Sequence, residues 1–569
     1  MSTARLAWIA AAVFVAIYLL FLGVRPLILP DEHRYAAIGL EMIARGDFTV
    51  PRLIGFRYFE KPAGGAHMVV LAVEAFGRHA FAYRLPSAIG MGLAALAIGL
   101  AVARATGRGA IGALAAIVLC TMVVPVIVGT TVILDGPFTG FVTASIALAW
   151  LGLESPRLGG RLVLLALAGL AAGGAFLVKG PLAIVLAALA IGPWLLWERR
   201  WRDLVLIPWI PLLFAALAVL PWGLAIHERE PGFWRTFIWV EHVQRFLKPD
   251  GNQHAEPWWF YLPVILVAAL PWTLAVPAAL GGLPVAAGDV RLRSWRRLSI
   301  CWIAVPFLFF SASSGKLATY LVPLLPPIAG LIAIGLVRAF EQRPWFERPT
   351  RLQHAPALVL LLLALSAVVS AAATDLPERV WLDGGIWRSA VLAGALATWA
   401  GFDLKAIRQR DGVRRVLWMG LSPAVLLACF PILYPSALVP ESKAPSAFIV
   451  EHRARLEAAP TIVATEQIAI AIGCELDRYD KLIALAPGEL DNGLGHAPEE
   501  RRLVSGGDLV ERLRDLLATG PFSVVGQARH LDPVLAPAIE NGLLPAPTDR
   551  VEGPRLVIVE FGGDDVPQR

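Results

Sequence analysis

Two carboxylates and a guanidinium stand together at Pro30-Asp31-Glu32-His33-Arg34-Tyr35, directly after an apolar run. A carboxylate in such a place can take a proton from a hydroxyl or an amine, and an arginine one helical turn along can hold an anion beside it. The plain alternative is a solvated helix start, with Asp31 as cap and Glu32 favourable to the helix dipole. A second acid and base pair follows at Glu60-Lys61-Pro62, and Lys179-Gly180-Pro181 puts a lone cation at the end of an apolar stretch. Arg245, in Glu241-His242-Val243-Gln244-Arg245-Phe246, and Lys316 with Tyr320 complete the set. A lone lysine at a helix end can simply snorkel to water. Several cations at one depth suit an anionic head group better than a neutral solute. Asp135, before Gly136-Pro137, is a weaker catalytic candidate, and a helix cap explains it equally well.

The elements that carry these residues are membrane helices. Hydrophobic residues make up 57% of the 569 positions against 17% charged, and the mean hydropathy is +0.65. Those values exclude a soluble domain, and uncharged runs long enough to cross hydrocarbon exclude the alternating strands of an outer-membrane barrel. The runs predict about 13 spans between residues 6 and 436, the first at 6–29 being a retained helix rather than a signal peptide. Arginines gather on alternate connections, as at Arg104/Arg108, Arg157/Arg161, Arg199/Arg200/Arg202 and Arg291/Arg293/Arg296/Arg297, which marks that side as cytoplasmic. The formal charge of +6 is therefore a topological signal, and no nucleic-acid partner is expected.

The two long outer loops, 30–81 and 227–257, then lie outside with the tail. In the first, the spacing of Tyr35, Ile38, Met42 and Ile43 predicts an interfacial amphipathic helix, and a second is expected over 66–76. The Pro51–Pro62 stretch between them should be no more than a turn-rich connection. Residues 1–436 form the membrane domain, and 437–569 change to the composition of a small external α/β domain, with strands at 461–464, 482–484, 522–525 and 556–559 and a helix at 509–517. The four cysteines supply neither a disulfide framework nor a cysteine zinc site. No phosphate-binding loop, internal repeat or paired broken helix of the transporter kind is visible.

Five motifs occur in order: Asp31-Glu32-x-Arg34-Tyr35, Tyr58-Phe59-Glu60-Lys61-Pro62, Leu177-Val178-Lys179-Gly180-Pro181, Glu241-His242-x-x-Arg245-Phe246 and Gly315-Lys316-Leu317-x-Thr319-Tyr320-x-x-Pro323. In this the chain resembles the lipid A 4-amino-4-deoxy-L-arabinose transferases, and more broadly the GT-C membrane glycosyltransferases that include protein O-mannosyltransferases. The resemblance runs over nearly the whole chain. It implies an inner-membrane enzyme with a polytopic α-helical GT-C fold that moves a sugar from a polyprenyl-phosphate donor to an external acceptor. Lipid A or lipopolysaccharide is the first acceptor class, with protein or another envelope glycolipid behind it. Asp31 resembles the catalytic carboxylate; Arg34, Lys61, Lys179, Arg245 and Tyr320 resemble the set that grips the carrier phosphate, and Lys316 joins them by position. The resemblance also implies a zinc ion with Glu60 as one ligand and a histidine two residues before His242 as another; Val240 stands at that position, leaving His242 as the substitute. Because the leaving group would be an acidic phosphate, one base and a phosphate clamp suffice for a single inverting displacement. A lipid flippase or transporter, or a non-catalytic lipid-binding partner, are the readings of other classes; charge buried at mid-span would favour transport, and the spans here hold almost none.

Overall fold

Apolar length and the residues that interrupt it set the helices. In the computed structural model, residues 1–244, 256–284, 289–313, 315–342, 355–372, 386–433, 439–479, 482–485, 503–504 and 509–562 are described. They divide into two units, one of Met1–Val24, Arg84–Glu228 and Trp234–Tyr434, the other of Arg25–Tyr83, Arg229–Phe233 and Pro435–Arg569. The loop that carries Asp31 thus clusters with the C-terminal segment.

The first unit is helical. Among the described residues seven helices are long and apolar enough to cross a membrane, and up to nine if each of two bent pairs is one span. Several predicted spans are shorter than expected. The first helix runs Thr3–Phe14, loosens into a π-turn at Val15–Leu19 and stops well before residue 29, since Arg25-Pro26 and Pro30 disfavour helix ahead of each proline. The helix Leu182–Trp197 is also short.

Continuous spans were expected at 110–130 and 258–281, and both are broken. Gly109–Cys120 and Val123–Gly129 meet at 72°, Tyr261–Ala268 and Trp272–Gly282 at 94°. The Thr121 hydroxyl donates to the Ile117 carbonyl at 2.7 Å, and Pro271 has no N–H with which to continue a helix. The breaks satisfy each other: Val123 N–H donates to the Leu270 carbonyl at 2.9 Å and the Trp272 indole to the Thr121 hydroxyl at 2.9 Å. Irregular backbone at membrane depth is tolerated where protein supplies its hydrogen bonds.

Close packing fixes the start of the Asp135–Leu153 helix. A Cβ on Gly90 would lie 2.4 Å from Gly136 backbone, and one on Gly140 2.3 Å from the Gly90 carbonyl oxygen, so only glycine lets this helix meet Ala80–Thr106.

The second unit contains the helices Asp31–Arg45 and Gly64–Phe76 and an α/β sheet. Between the helices, where only turns were expected, Arg52–Leu53 (β1) and Phe56–Arg57 (β2) pair as a small antiparallel hairpin. Its turn residues Ile54 and Gly55 both have positive φ, 46° and 89°, as a tight primed turn requires. The Ile54 side chain is fully buried, which offsets the backbone cost.

The sheet comprises Thr461–Thr465 (β3), Leu482–Leu485 (β4), Leu503–Val504 (β5), Phe522–Gln527 (β6), Asp549–Glu552 (β7) and Leu556–Phe561 (β8), in the order β5-β4-β3-β6-β8-β7. The first four run parallel and β8 and β7 close the edge antiparallel. Inner strand β4 is buried at every position, as a strand covered on both faces should be, whereas edge β7 shows Asp549, Arg550 and Glu552 to solvent. Val463, Val524, Val557 and Val559 pack with Leu513 and the stacked pair Phe522–Phe561 into its core.

Candidate functional site

Asp31 is the first residue of its helix, with Pro30 rather than Asp31 in the capping position. Its carboxylate lies 3.3 Å from the Arg34 guanidinium and keeps half its side-chain surface exposed. Neighbouring Glu32 is the opposite case. It is buried, takes a bidentate grip from Arg25 at 2.6 and 3.1 Å and accepts the Ile28 N–H at 2.9 Å. The two adjacent carboxylates therefore differ: Glu32 ties down the chain entering the helix, and Asp31 stays half exposed.

Further along this helix, buried Glu41 accepts from Arg45 at 2.7 Å and from the Gly55 N–H at 2.9 Å, which anchors the hairpin turn. Burial raises its carboxyl above the ordinary range, and Arg45 and Gly55 only partly oppose that. Beyond the hairpin, Glu60 is buried with the Tyr58 hydroxyl 3.4 Å from its carboxylate, and Lys61 donates to the Glu60 carbonyl at 3.1 Å.

In the first unit, Lys179 ends the helix Leu158–Lys179 because Gly180 takes a positive φ of 79° and Pro181 begins the next segment. A cation there sits favourably at the helix C-terminus. Its ammonium lies 2.7 Å from Asp135, and only 13% and 12% of the two side chains are exposed. Asp135 opens its helix after the capping Leu134, so its carboxylate serves the lysine rather than a cap. The Lys179 ammonium also stands 5.7 Å from the Phe138 ring and 5.9 Å from the Tyr320 ring. Tyr320 lies in the 3-10 turn Ala318–Leu324 against Phe310. Lys316, also buried, donates to the Glu256 carbonyl at 2.8 Å and to that of Ser313. An ammonium carries three N–H donors, so a lysine held by a carboxylate or by carbonyls can still donate to an anion's oxygen.

The structure brings Lys179, Asp135 and Tyr320 together in one unit, and Asp31 with Arg34 in the other. Arg245 lies outside the described residues. His242 belongs to the π-helical segment Arg235–Gln244, but its side chain lies outside them too. Among the described residues no group of three or more His, Cys, Asp or Glu side chains could hold a metal ion, and Glu60 faces a tyrosine hydroxyl. Sequence reading missed the Arg25–Glu32 lock, Glu41 and buried His33. An arginine just before Pro26, followed seven residues later by a glutamate, was the one available signal.

Residues 3–237 match the family described as Dolichyl-phosphate-mannose-protein mannosyltransferase, and residues 440–560 match the arabinosyl transferase ArnT, C-terminal domain. The undecaprenyl phosphate-alpha-4-amino-4-deoxy-L-arabinose arabinosyl transferase 2 of Pseudomonas fluorescens (strain Pf0-1) is 33% identical over 555 residues, 96% of each chain. The transferase of that type from Pseudomonas aeruginosa PAO1 is 34% identical over 560 residues, 98% of each. The crystal structure of ArnT from Cupriavidus metallidurans bound to undecaprenyl phosphate aligns over the full length of both chains with a TM-score of 0.75 at 21% identity, a likeness of fold. The polytopic architecture is thus the GT-C membrane fold, and the chain belongs to the undecaprenyl phosphate-alpha-4-amino-4-deoxy-L-arabinose arabinosyl transferase family, as an integral inner-membrane glycosyltransferase.

Proposed function

We propose that this protein transfers 4-amino-4-deoxy-L-arabinose from an undecaprenyl-phosphate donor to lipid A or lipopolysaccharide on the outer face of the inner membrane. The relatives' names supply the sugar and the carrier. The observation that carries the reading in this chain is the division of labour at Asp31-Glu32, where one carboxylate is locked and its neighbour is left half exposed beside an arginine.

In the reaction an acceptor oxygen or nitrogen attacks the anomeric carbon and gives its proton to Asp31. The bond from that carbon to the phosphate oxygen breaks, and its electron pair leaves with undecaprenyl phosphate. A single displacement inverts the anomeric centre. Negative charge grows on the phosphate as the bond breaks, so Arg34, Lys61, Lys179, Arg245, Lys316 and Tyr320 act by holding that charge. Asp135 keeps Lys179 in position.

The arginine-rich connections support a cytoplasmic N-terminus, about 13 spans, and an external location for loops 30–81 and 227–257 and for 437–569. The test is transfer by the purified full-length protein from undecaprenyl-phosphate-linked aminoarabinose to lipid A, read by product mass. Gain of one aminoarabinose supports the reading; an unchanged acceptor, with a lipid A transferase active under the same conditions, contradicts it.

A further inference from the structure

Residues 439–446 link the C-terminal sheet to the helix that begins at Asp31, all within one unit. At one end, Glu441 accepts the N–H groups of Arg555 and Leu556, both at 2.9 Å, at the start of β8. At the other, the Lys443 carbonyl accepts the Leu29 N–H at 2.8 Å, two residues before Asp31, and the Ser446 hydroxyl lies 3.1 Å from His33 Nε2. His33 is fully buried, and Glu475, near the end of the helix Glu466–Leu476, is 3.8 Å from the same nitrogen. Positions two apart on a helix point about 200° apart. His33 can therefore be gripped by the C-terminal domain while Asp31 stays open on the other side.

Resting on the reading of Asp31 as base, we propose that the C-terminal α/β domain sets the aim of the Asp31 carboxylate through the 439–446 segment, with His33 and Ser446 as positioning residues. Neither residue is assigned contact with substrate. Their contribution is the orientation of the helix's first turn, and a small misplacement of a reacting group costs rate more than it costs binding.

Steady-state kinetics of the full-length enzyme, with undecaprenyl-phosphate-linked aminoarabinose and lipid A, test this on His33→Ala, His33→Gln, Ser446→Ala and the double alanine variant. The expected result is a fall in kcat of about tenfold for either alanine variant, with donor KM within about twofold. The double variant should fall no further than one single, because both break one linkage. His33→Gln, which can return an amide to the place of Nε2, should recover most of the rate. If His33→Ala does not fold, Ser446→Ala and His33→Gln carry the test. Wild-type kcat in Ser446→Ala, or losses that multiply in the double variant, would overturn the proposal. Asp31→Asn is run alongside: if it keeps a large fraction of turnover the base assignment fails, whereas a dead Asp31→Asn with a fully active Ser446→Ala sinks only the positioning role.

Discussion

Asp31 and Asp135 both open helices after an apolar segment, and each has a basic partner, yet the two are built differently. Asp135 is almost covered and lies 2.7 Å from Lys179, while Asp31 is half exposed and 3.3 Å from Arg34. A carboxylate committed to a buried ammonium has its surface taken up by that partner; one half exposed beside a guanidinium keeps surface open to a reactant, which is what the proposed base needs. The lesson is that exposure and partner distance separate a candidate base from a structural acid where residue type does not. Glu32 repeats it within one turn of helix.

The largest effect is expected at Asp31. Asp31→Asn is expected to lower turnover by about 10²–10⁴-fold, as removal of a general base does elsewhere. Lys179→Ala comes next, raising donor KM roughly thirtyfold because it removes a cation from the phosphate and strands Asp135. Asp135→Asn keeps a hydrogen-bond acceptor for Lys179 and should cost less than about tenfold in kcat. Steady-state rates against donor concentration separate these three.

Glu32→Gln acts on stability instead. It leaves buried Arg25 without its anion, an expected loss of about 3 kcal/mol, seen as a lower thermal unfolding midpoint. Glu41 gives the smallest effect. Its carboxyl is raised in the folded state, so its contribution is most favourable below the ordinary glutamate pKa and declines as pH rises through the folded value. Stability measured against pH should show that decline in the wild type, and Glu41→Gln should remove it.

Much of this was legible in sequence because it rests on periodicity. Strands at 461–465, 482–485, 522–527 and 556–561 lie where apolar runs predicted them, and the helix Leu509–Leu517 has the predicted bounds. Lys179 at a helix end was readable from Gly180-Pro181. The kinks at Thr121 and Pro271 were not, because hydropathy measures length and not direction, and the breaks are stabilised by contacts about 150 positions apart. The 52–57 hairpin was hidden for a similar reason: its turn, with buried Ile54 at positive φ, is held by Glu41 from the preceding helix. The link from Leu29 and His33 to Lys443 and Ser446 spans over 400 positions, beyond the reach of any local pattern.

Whether Asp31 is the base of a lipid A modification can be read in a strain lacking the gene. Lipid A masses would be compared after complementation with wild type, Asp31→Asn and Asp135→Asn at matched protein levels. Wild type is expected to restore the aminoarabinose mass, Asp135→Asn to restore it at least in part, and Asp31→Asn to leave lipid A bare. Full restoration by Asp31→Asn, or failure confined to Asp135→Asn, would contradict that role for Asp31.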